Sequence, residues 1–206
     1  MKNKHAFDMV HGTQEVFRIL LEALANPGRV LSIGPYAAQF AGQGRWLAPA
    51  VTLLDKRTGF YWEGDPETGE EIRFLTGAPR VSLEEADFVF LNRELQSGKA
   101  PHVFSRVKGG THIDPHMSAL LFIDAGTGEG VVTDGGEKPG ESVFLSGPGI
   151  PPEGRHLDLF PAEVEWCRAR DDRGFEYPCG VELVFLREDC SLAALTRKTA
   201  FTWGSG

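Results

Sequence analysis

The 206-residue sequence predicts an α/β fold in which helices alternate with the strands of a mixed β-sheet, arranged as a three-layer sandwich. Two uninterrupted apolar segments, residues 88–91 and 119–123, are typical of central strands that are buried on both faces. Helical patterns at residues 7–25 and 161–173 supply layers that would cover such a sheet. We therefore expect a single domain spanning residues 1–206, and not an all-β barrel.

Apolar residues that recur at three- and four-residue steps predict the first helix. Its apolar face consists of Phe17, Leu20, Leu21 and Leu24. Thr13 is the expected N-cap, and Asn26-Pro27-Gly28 ends the helix because proline disfavours helical dihedrals in the residue before it. A short strand is expected at residues 29–33, and a second helix at residues 47–57 with Pro49 in its first turn.

The central part of the chain alternates short strands with turns. Phe60-Tyr61-Trp62 predicts an aromatic strand. The sequence D-P-E-T-G within residues 64–70 predicts a turn that leads to a returning strand at residues 72–76. A short exposed helix is expected at residues 94–99, ended by Gly98.

A glycine-rich segment, residues 126–140, follows the second central strand and predicts a loop. Gly135-Gly136 is the expected hairpin turn in this loop. The hairpin would pair residues 131–133 with residues 141–145.

The last part of the chain predicts one helix and the final strands. The helix at residues 161–173 begins with proline and is followed by glycine, as helices often are. An apolar strand is expected at residues 181–186. Residues 192–203 predict one or two further strands, with Arg197 and Lys198 exposed between apolar neighbours.

Composition excludes several functional classes. The net charge of −8 argues against general nucleic-acid binding, which needs a basic surface. No apolar segment approaches the roughly 20 residues that a membrane-spanning helix needs, and the first residues lack a secretory signal's apolar segment. We therefore expect a cytoplasmic protein that binds neither nucleic acid nor membrane. The cysteines are odd in number and include no C-x-x-C pair, which argues against a disulfide framework or a structural zinc site: Cys167, Cys179 and Cys190.

The sequence V-F-L-S-G-P-G-I at residues 143–150 predicts a buried strand that ends in a tight glycine–proline turn. Gly147 and Gly149 can adopt positive φ and Pro148 has no N–H, so other groups can approach this backbone closely. The turn therefore suits contact with an anion or with the backbone of a partner. The alternative is an ordinary surface turn, because glycine and proline are the commonest turn residues.

A second candidate anion site lies near the C-terminus, where Arg197 stands between Thr196 and Thr199. An arginine guanidinium beside hydroxyl groups suits phosphate or carboxylate oxygens. The alternative is a solvated strand face with a surface arginine. The two segments give a candidate substrate-binding set of Gly147, Gly149, Arg197 and Thr199. The sequence pattern identifies no catalytic residue.

Histidines supply the candidate metal ligands. His112 and His116 are four residues apart with Asp114 between them, and His102 could supply a third imidazole. This spacing brings two imidazoles together only on a helix, and Pro115 disfavours helical dihedrals at Asp114. Histidines on an irregular loop are the alternative, and we predict no metal site. The lysines do not lie in apolar segments that would favour Schiff-base chemistry.

Several short motifs follow one another in a distinctive order along the chain. They are Phe17-Arg18, Leu24-Ala25-Asn26-Pro27-Gly28, Leu53-Leu54-Asp55, Ala86-Asp87-Phe88, Ser118-Ala119, Leu145-Ser146-Gly147-Pro148-Gly149-Ile150, Tyr177-Pro178-Cys179-Gly180-Val181-Glu182 and Thr196-Arg197-Lys198-Thr199. Their order and spacing resemble the family of the H subunit of the bacterial carbon–phosphorus lyase system, PhnH, essentially end to end. The chain departs from the family pattern at His116, Tyr177, Glu182, Thr196 and Lys198.

The resemblance implies a fold related to the pyridoxal-phosphate-dependent aminotransferases, but without the cofactor. It implies a homodimer in isolation and assembly with the G, I and J subunits in a core complex. That complex works with other proteins to attach a phosphonate to the ribose of ATP, displacing adenine. A different subunit carries the iron–sulfur, S-adenosylmethionine radical centre that later cleaves the carbon–phosphorus bond.

Three hypotheses follow for the function. The first is an auxiliary subunit whose glycine–proline turn and apolar sheet make subunit contacts. The second is a subunit whose Arg197, Thr199 and amides near Gly149 bind an anion during the transfer reaction. The third is a free-standing metal-dependent hydrolase that uses His112, Asp114 and His116.

Overall fold

The fold, taken from a computed structural model, is built on a six-stranded β-sheet with helices on both faces; the structure describes residues 5–92, 98–126, 132–133, 136–137 and 140–204. The strands are β1 (Val30–Ser32), β2 (Phe60–Glu63), β3 (Phe88–Leu91), β4 (Leu120–Gly126), β5 (Val132–Thr133), β6 (Gly136–Glu137), β7 (Glu141–Ser146), β8 (Arg155–Leu159), β9 (Glu182–Arg187), β10 (Ser191–Leu195) and β11 (Ala200–Trp203). The helices are α1 (His11–Ala25), α2 (Gly34–Ala37), α3 (Gly44–Leu53), α4 (Pro66–Thr76), α5 (Lys99–Phe104) and α6 (Pro161–Arg173). None of the described helices combines the length and the apolarity needed to span a bilayer.

The sheet has the strand order β1-β10-β9-β4-β3-β2. Strands β2, β3, β4 and β9 run parallel to one another, whereas β10 and β1 are antiparallel to their neighbours. The predicted α/β class with a mixed sheet is therefore confirmed.

Both faces of the central strands are buried, as their uninterrupted apolar sequences predicted. On one face, Val89 and Leu121 belong to the core that α5 and α6 cover. On the other face, the rings of Phe90 and Phe122 stack with centroids 4.9 Å apart in the core that α1, α3 and α4 cover. The helices therefore form the two outer layers of the sandwich.

A smaller three-stranded antiparallel sheet, in the order β11-β7-β8, packs on the α5 and α6 side of the core. Its fully buried side chains are Val143, Leu145, Leu157 and Leu159. The expected pairing of residues 131–133 with residues 141–145 is wrong, because β7 lies between β8 and β11, where its apolar side chains reach the core. Val132–Thr133 pairs with Gly136–Glu137 instead, and Gly135 of the expected turn lies outside the described residues. Strand β8 itself was not expected from the sequence.

Residues 66–76 form the helix α4, so the prediction of a turn and a returning strand is wrong. Asp65 is its N-cap, because the carboxylate accepts a hydrogen bond from the Thr68 N–H at 2.7 Å. Pro66 occupies the first helical position, where no N–H is needed, and Gly77 follows the helix with a φ of 70°. The D-P-E-T-G sequence is therefore a helix start and not a turn.

The first helix begins earlier than its expected cap. The Asp8 carboxylate accepts hydrogen bonds from the N–H groups of Val10 and His11, at 2.8 and 2.9 Å, and so satisfies free donors at the start of α1. Thr13 lies inside the helix and donates to the Met9 carbonyl at 2.8 Å. The assignment of Thr13 as the N-cap is therefore wrong.

Two further helix boundaries differ from those expected. Gly98 precedes α5 with a φ of 90° and does not end a helix, while residues 94–97 of the expected helix lie outside the described part of the chain. Pro49 lies in the middle of α3 because that helix begins at Gly44, three residues before the expected start.

The edge strand β2 is covered on its outer side by the segment that follows α4. The Phe60 N–H donates to the Pro79 carbonyl at 3.0 Å, and the Phe60 carbonyl accepts from the Val81 N–H at 2.9 Å. The Arg80 guanidinium donates to the Trp62 carbonyl at 3.1 Å. These hydrogen bonds occupy backbone groups that an open edge would offer to another strand.

A buried ion pair fixes the start of α6, whose predicted bounds are confirmed. The Glu163 carboxylate accepts from the Phe160 N–H at 2.8 Å and from the Arg187 guanidinium at 2.9 and 3.0 Å. Burial raises the pKa of the Glu163 carboxyl, and Arg187 opposes this rise. Arg187 also donates to the Asp158 carbonyl at 3.1 Å, so the pair joins α6 to β8 and β9.

Glu163→Ala is expected to lower the free energy of unfolding by about 3–5 kcal/mol, because it leaves the Arg187 charge mostly buried without a carboxylate. Asp172→Ala, an exposed change on the same helix, is expected to stay within about 0.5 kcal/mol of the parent protein. Urea unfolding of both variants checks this, and equal losses would contradict it.

Candidate functional site

A cleft of about 340 Å³ lies at one end of the six-stranded sheet, where β10 ends and β9 begins. It lies between the turn of residues 147–150, the turn of residues 196–199 and the C-terminal end of α1. The residues lining it are Leu24, Ala25, Pro148, Gly149, Glu182, Thr196, Arg197 and Lys198. Gly149 and Arg197 of the candidate set thus line the cleft directly. Gly147 and Thr199 lie in the same two turns. The structure therefore brings together the two segments that the sequence analysis singled out.

The first turn is a type II turn formed by the Gly-Pro-Gly sequence. The Ile150 N–H donates to the Gly147 carbonyl at 3.1 Å, with Pro148 and Gly149 in the central positions. Gly149 has a φ of 81°, which this turn type requires at its third residue and which favours glycine there.

The glycines of this turn lie against two other backbone segments of the same chain. A Cβ atom at Gly149 would lie 2.3 Å from the Ala25 carbonyl oxygen at the end of α1. A Cβ atom at Gly147 would lie 2.6 Å from the Lys198 carbonyl oxygen. The turn therefore joins the end of α1 to the turn between β10 and β11 by direct backbone contact.

Arg197 makes four polar contacts within the chain. Its Nε donates to Glu182 Oε1 at 2.6 Å, and its backbone N–H donates to Glu182 Oε2 at 2.6 Å. One terminal nitrogen donates to the Pro115 carbonyl at 2.5 Å, and the other donates to Ser118 Oγ at 2.7 Å. The side chain is only 18% exposed. The expectation of an exposed arginine on a strand face is therefore wrong.

Thr199 is 3% exposed, and its hydroxyl stabilises the turn of residues 196–199. Its hydroxyl accepts a hydrogen bond from the Thr196 N–H at 3.1 Å and lies 3.1 Å from the Thr196 hydroxyl. Arg170 of α6 donates to the Thr196 carbonyl at 2.9 Å and to the Thr199 carbonyl at 2.6 Å. The guanidinium of Arg170 also lies 4.2 Å from the ring centroid of Phe201. Thr199 is thus part of the framework behind the cleft.

Lys198 is the exposed cation of this turn. Its ammonium lies 4.7 Å from the ring centroid of Tyr177 and 3.4 Å from the Tyr177 hydroxyl. A second, more polar cleft of about 250 Å³ lies on the other side of the turn and shares Arg197 and Lys198 with the first. Asp171 lines this second cleft, and burial raises the pKa of its carboxyl while Arg170 opposes the rise.

The histidines considered as metal ligands are held in separate environments. His102 lies on α5 and its ring contacts Arg106 at 3.1 Å, whereas the His112 ring lies 3.6 Å from Glu176. Asp114 closes a turn instead, since its N–H donates to Thr111 Oγ1 at 2.9 Å. Among the residues that the structure describes, no three or more histidine, cysteine or acidic side chains are grouped to hold a metal ion.

Sequence reasoning missed the residues that hold the site in place. Glu182, Ser118 and Arg170 are distant from Arg197 in the sequence, and no local pattern links them. One signal was available for Glu182, because a charged residue at the start of an otherwise apolar strand needs a partner when it is buried. That signal indicates a partner without identifying it.

Within the described part of the chain, one basic side chain that lines the cleft has no carboxylate partner. Arg197 and Glu182 neutralise each other at 2.6 Å, whereas Lys198 has no carboxylate within ion-pair distance among the described residues. Leu24 and Pro148 add apolar surface beside these charges. The arrangement can bind a small anion or a partner side chain.

Gly149→Ala is expected to destabilise the protein more than Gly42→Ala. Both glycines have positive φ, at 81° and 88°, so the backbone strain is similar. A Cβ atom at Gly42 has nothing within 4 Å, whereas one at Gly149 would overlap the Ala25 carbonyl. We expect a loss of roughly 1–2 kcal/mol for Gly42→Ala and a larger loss for Gly149→Ala in urea unfolding. A smaller loss for Gly149→Ala would argue against the close contact.

Comparison with known proteins is consistent with this geometry. A family model described as "Bacterial phosphonate metabolism protein (PhnH)" matches residues 5–202. No curated protein matches the chain at a significant level of similarity. The family match covers both turns, the cleft and all the elements that support them. The chain therefore belongs to the PhnH family of bacterial phosphonate metabolism proteins.

Proposed function

We propose that this chain is a subunit of the bacterial carbon–phosphorus lyase core complex, where it assembles with the G, I and J subunits in the cytoplasm. Membership of the PhnH family supports a role in phosphonate metabolism. In this proposal the complex works with other proteins to form ribose 1-phosphonate 5-triphosphate from ATP and a phosphonate. The chain supports that reaction as an auxiliary subunit and forms a homodimer when isolated.

The observation that carries this proposal is the internal use of Arg197. Each of its three guanidinium nitrogens donates to an acceptor of its own chain: Glu182, Pro115 and Ser118. A guanidinium used in this way holds segments in place and has few donors left for a reacting group. The end of the sheet is therefore a rigid platform, which suits a protein that contributes surface to an assembly.

The outer face of α1 is the surface that we assign to subunit contact. Phe17 and Leu21 lie one turn apart on this face and are 49% and 56% exposed, while Val16 and Leu20 are buried. Leu24, about one turn further along, lines the cleft. Exposed apolar side chains that continue into a turn and a cleft are typical of protein interfaces.

The proposal includes kinship with the fold of the pyridoxal-phosphate-dependent aminotransferases, without the cofactor. The mixed sheet with helices on both faces supports this kinship. The outer edge of the sheet at β2 is covered, and β1 at the other edge is only three residues long. Helices and loops are therefore the surfaces through which we expect subunits to meet.

A second candidate function is direct anion binding by Gly147, Gly149, Arg197 and Thr199 during the transfer reaction. The position of all four residues in two touching turns favours it. Arg197 and Thr199 would act mainly through the framework, because their polar atoms already bond within the chain. Arg197→Ala would remove this candidate if the variant assembled normally and kept full phosphonate-dependent growth.

The subunit role predicts that a tagged chain co-purifies with the G, I and J subunits at low salt. Leu21→Asp is expected to reduce recovery of the partners at least tenfold, because it places a charge in an apolar contact. Phe74→Asp is the matched control, since Phe74 is a similarly exposed apolar residue, at 47%, on the different helix α4.

The experiment tests the subunit role and the assignment of the α1 surface independently. If the unmodified chain does not recover the partner subunits, the subunit role is wrong. If Leu21→Asp recovers them as the unmodified chain does, the role stands but the α1 surface is the wrong one.

A further inference from the structure

We infer that a second copy of this chain docks on the cleft beside the Gly-Pro-Gly turn, with Ile113 of each copy inserted into the cleft of the other. The inference rests on the homodimer proposed above and assigns the surface that forms it. It depends on an exposed apolar side chain, an apolar cleft close to it, and charges of opposite sign beside the two.

Ile113 is the most exposed large apolar side chain in the described part of the chain, at 89%. It therefore contacts little of its own molecule and does not fill its own cleft. Met117 on the same loop and Tyr177 on the neighbouring loop are 52% and 71% exposed. The two loops are neighbours, since the His112 ring lies 3.6 Å from the Glu176 carboxylate. Large apolar side chains exposed together on adjacent loops are typical of a protein interface.

The loop that carries Ile113, residues 110–117, is anchored by Arg197. The guanidinium donates to the Pro115 carbonyl at 2.5 Å and to Ser118 Oγ at 2.7 Å. An anchor side chain on a loop that is already ordered loses little conformational entropy when it binds. Ile113 is therefore presented to a partner in advance of contact.

The cleft suits an inserted aliphatic side chain. Leu24, Ala25 and Pro148 line one part of it, and most of its accessible surface is apolar. Arg197 and Glu182 line another part, and their charges neutralise each other in an ion pair at 2.6 Å. The volume of about 340 Å³ is near the lower limit for small-molecule sites, which leaves room for a side chain and little more.

The exposed isoleucine and the cleft lie close together on one surface. Arg197 lines the cleft and also contacts Pro115, which is two residues from Ile113 in the sequence. A two-fold axis between two copies can therefore place each Ile113 in the cleft of the other copy at the same time. Such reciprocal contacts are complete when two chains have met.

The charges beside these two features are complementary. Asp114 directly follows Ile113, is exposed, and makes no ion pair within the described residues. Lys198 belongs to the lining of the cleft, while its ammonium extends over the Tyr177 ring, 4.7 Å from the centroid. Reciprocal insertion brings Asp114 of one copy towards Lys198 of the other. Opposite charges on the two sides of a contact favour this partner over one without them.

The first test is sedimentation equilibrium of the isolated full-length chain. We expect the unmodified chain to dimerise and Ile113→Asp to raise the dimer dissociation constant at least about tenfold, since each dimer carries the change twice. Ile113 is exposed in the single chain, so the substitution is expected to leave the fold intact, which circular dichroism checks. Phe74→Asp, at an exposed apolar position on α4, is the matched control and is expected to dimerise normally.

A pair of introduced cysteines locates the contact directly. The double variant Leu24→Cys, Ile113→Cys is expected to form a disulfide between copies on oxidation, seen as a covalent dimer on a non-reducing gel. The double variant Phe74→Cys, Ile113→Cys is the control, since it keeps the same three natural cysteines and is expected to give no such dimer.

The outcomes separate this surface from the proposed function. A monomeric unmodified chain would reject the homodimer and this inference with it, whereas a dimer that Ile113→Asp leaves unchanged would reject this surface alone. Recovery of the G, I and J subunits by Ile113→Asp is measured in parallel. If that recovery falls while the dimer persists, the surface serves a different subunit and the inference is wrong. If the dimer behaves as expected but the unmodified chain recovers no partner subunit, the subunit role alone is wrong.

Discussion

The contact between Arg197 and Glu182 is the interaction on which the end of the sheet depends. Glu182 begins β9, and Arg197 lies in the turn after β10, so the pair joins two neighbouring strands of the sheet. The other two guanidinium nitrogens reach Pro115 and Ser118, which precede β4. The side chain is mostly removed from water, and a lysine could not make three such contacts at once. One residue thus joins the start of β9, the turn after β10 and the segment before β4.

Other arginines also donate hydrogen bonds to backbone carbonyls at the ends of helices and strands. Arg155 donates to the carbonyls of Asn26 and Pro27 after α1, and Arg170 donates to two carbonyls of the turn after β10. Buried carbonyls need such partners because an unpaired one costs free energy. Although the net charge is −8, several arginine side chains are therefore directed into the protein. Charge summed over the sequence says little about what a ligand meets at the cleft.

Much of the fold could be predicted from local sequence, and most of the site could not. The central strands and α6 were predictable because apolar runs and a proline–glycine pair act within a few residues. Helix α4 was missed because Asp65-Pro66 can begin either a turn or a helix; in the structure Asp65 caps the helix, and the Trp62 indole donates to the Asp65 carbonyl. The partners of β7 and of Arg197 were missed because they lie far along the chain. The glycines of the turn were identified correctly as positions of close approach, but their neighbours proved to be in the same molecule.

The covering of β2 by Arg80 and its neighbours has a consequence for how copies of this chain can associate. A sheet with an open outer strand can grow by adding strands from further molecules, and such growth has no natural end. Here the outward groups of Phe60 and Trp62 are already bonded. The association that we propose uses α1 and the loops instead, and it can close after a fixed number of chains when its contacts are symmetric. The Arg80 contact with the Trp62 carbonyl thus removes an acceptor that strand-by-strand growth at β2 would need.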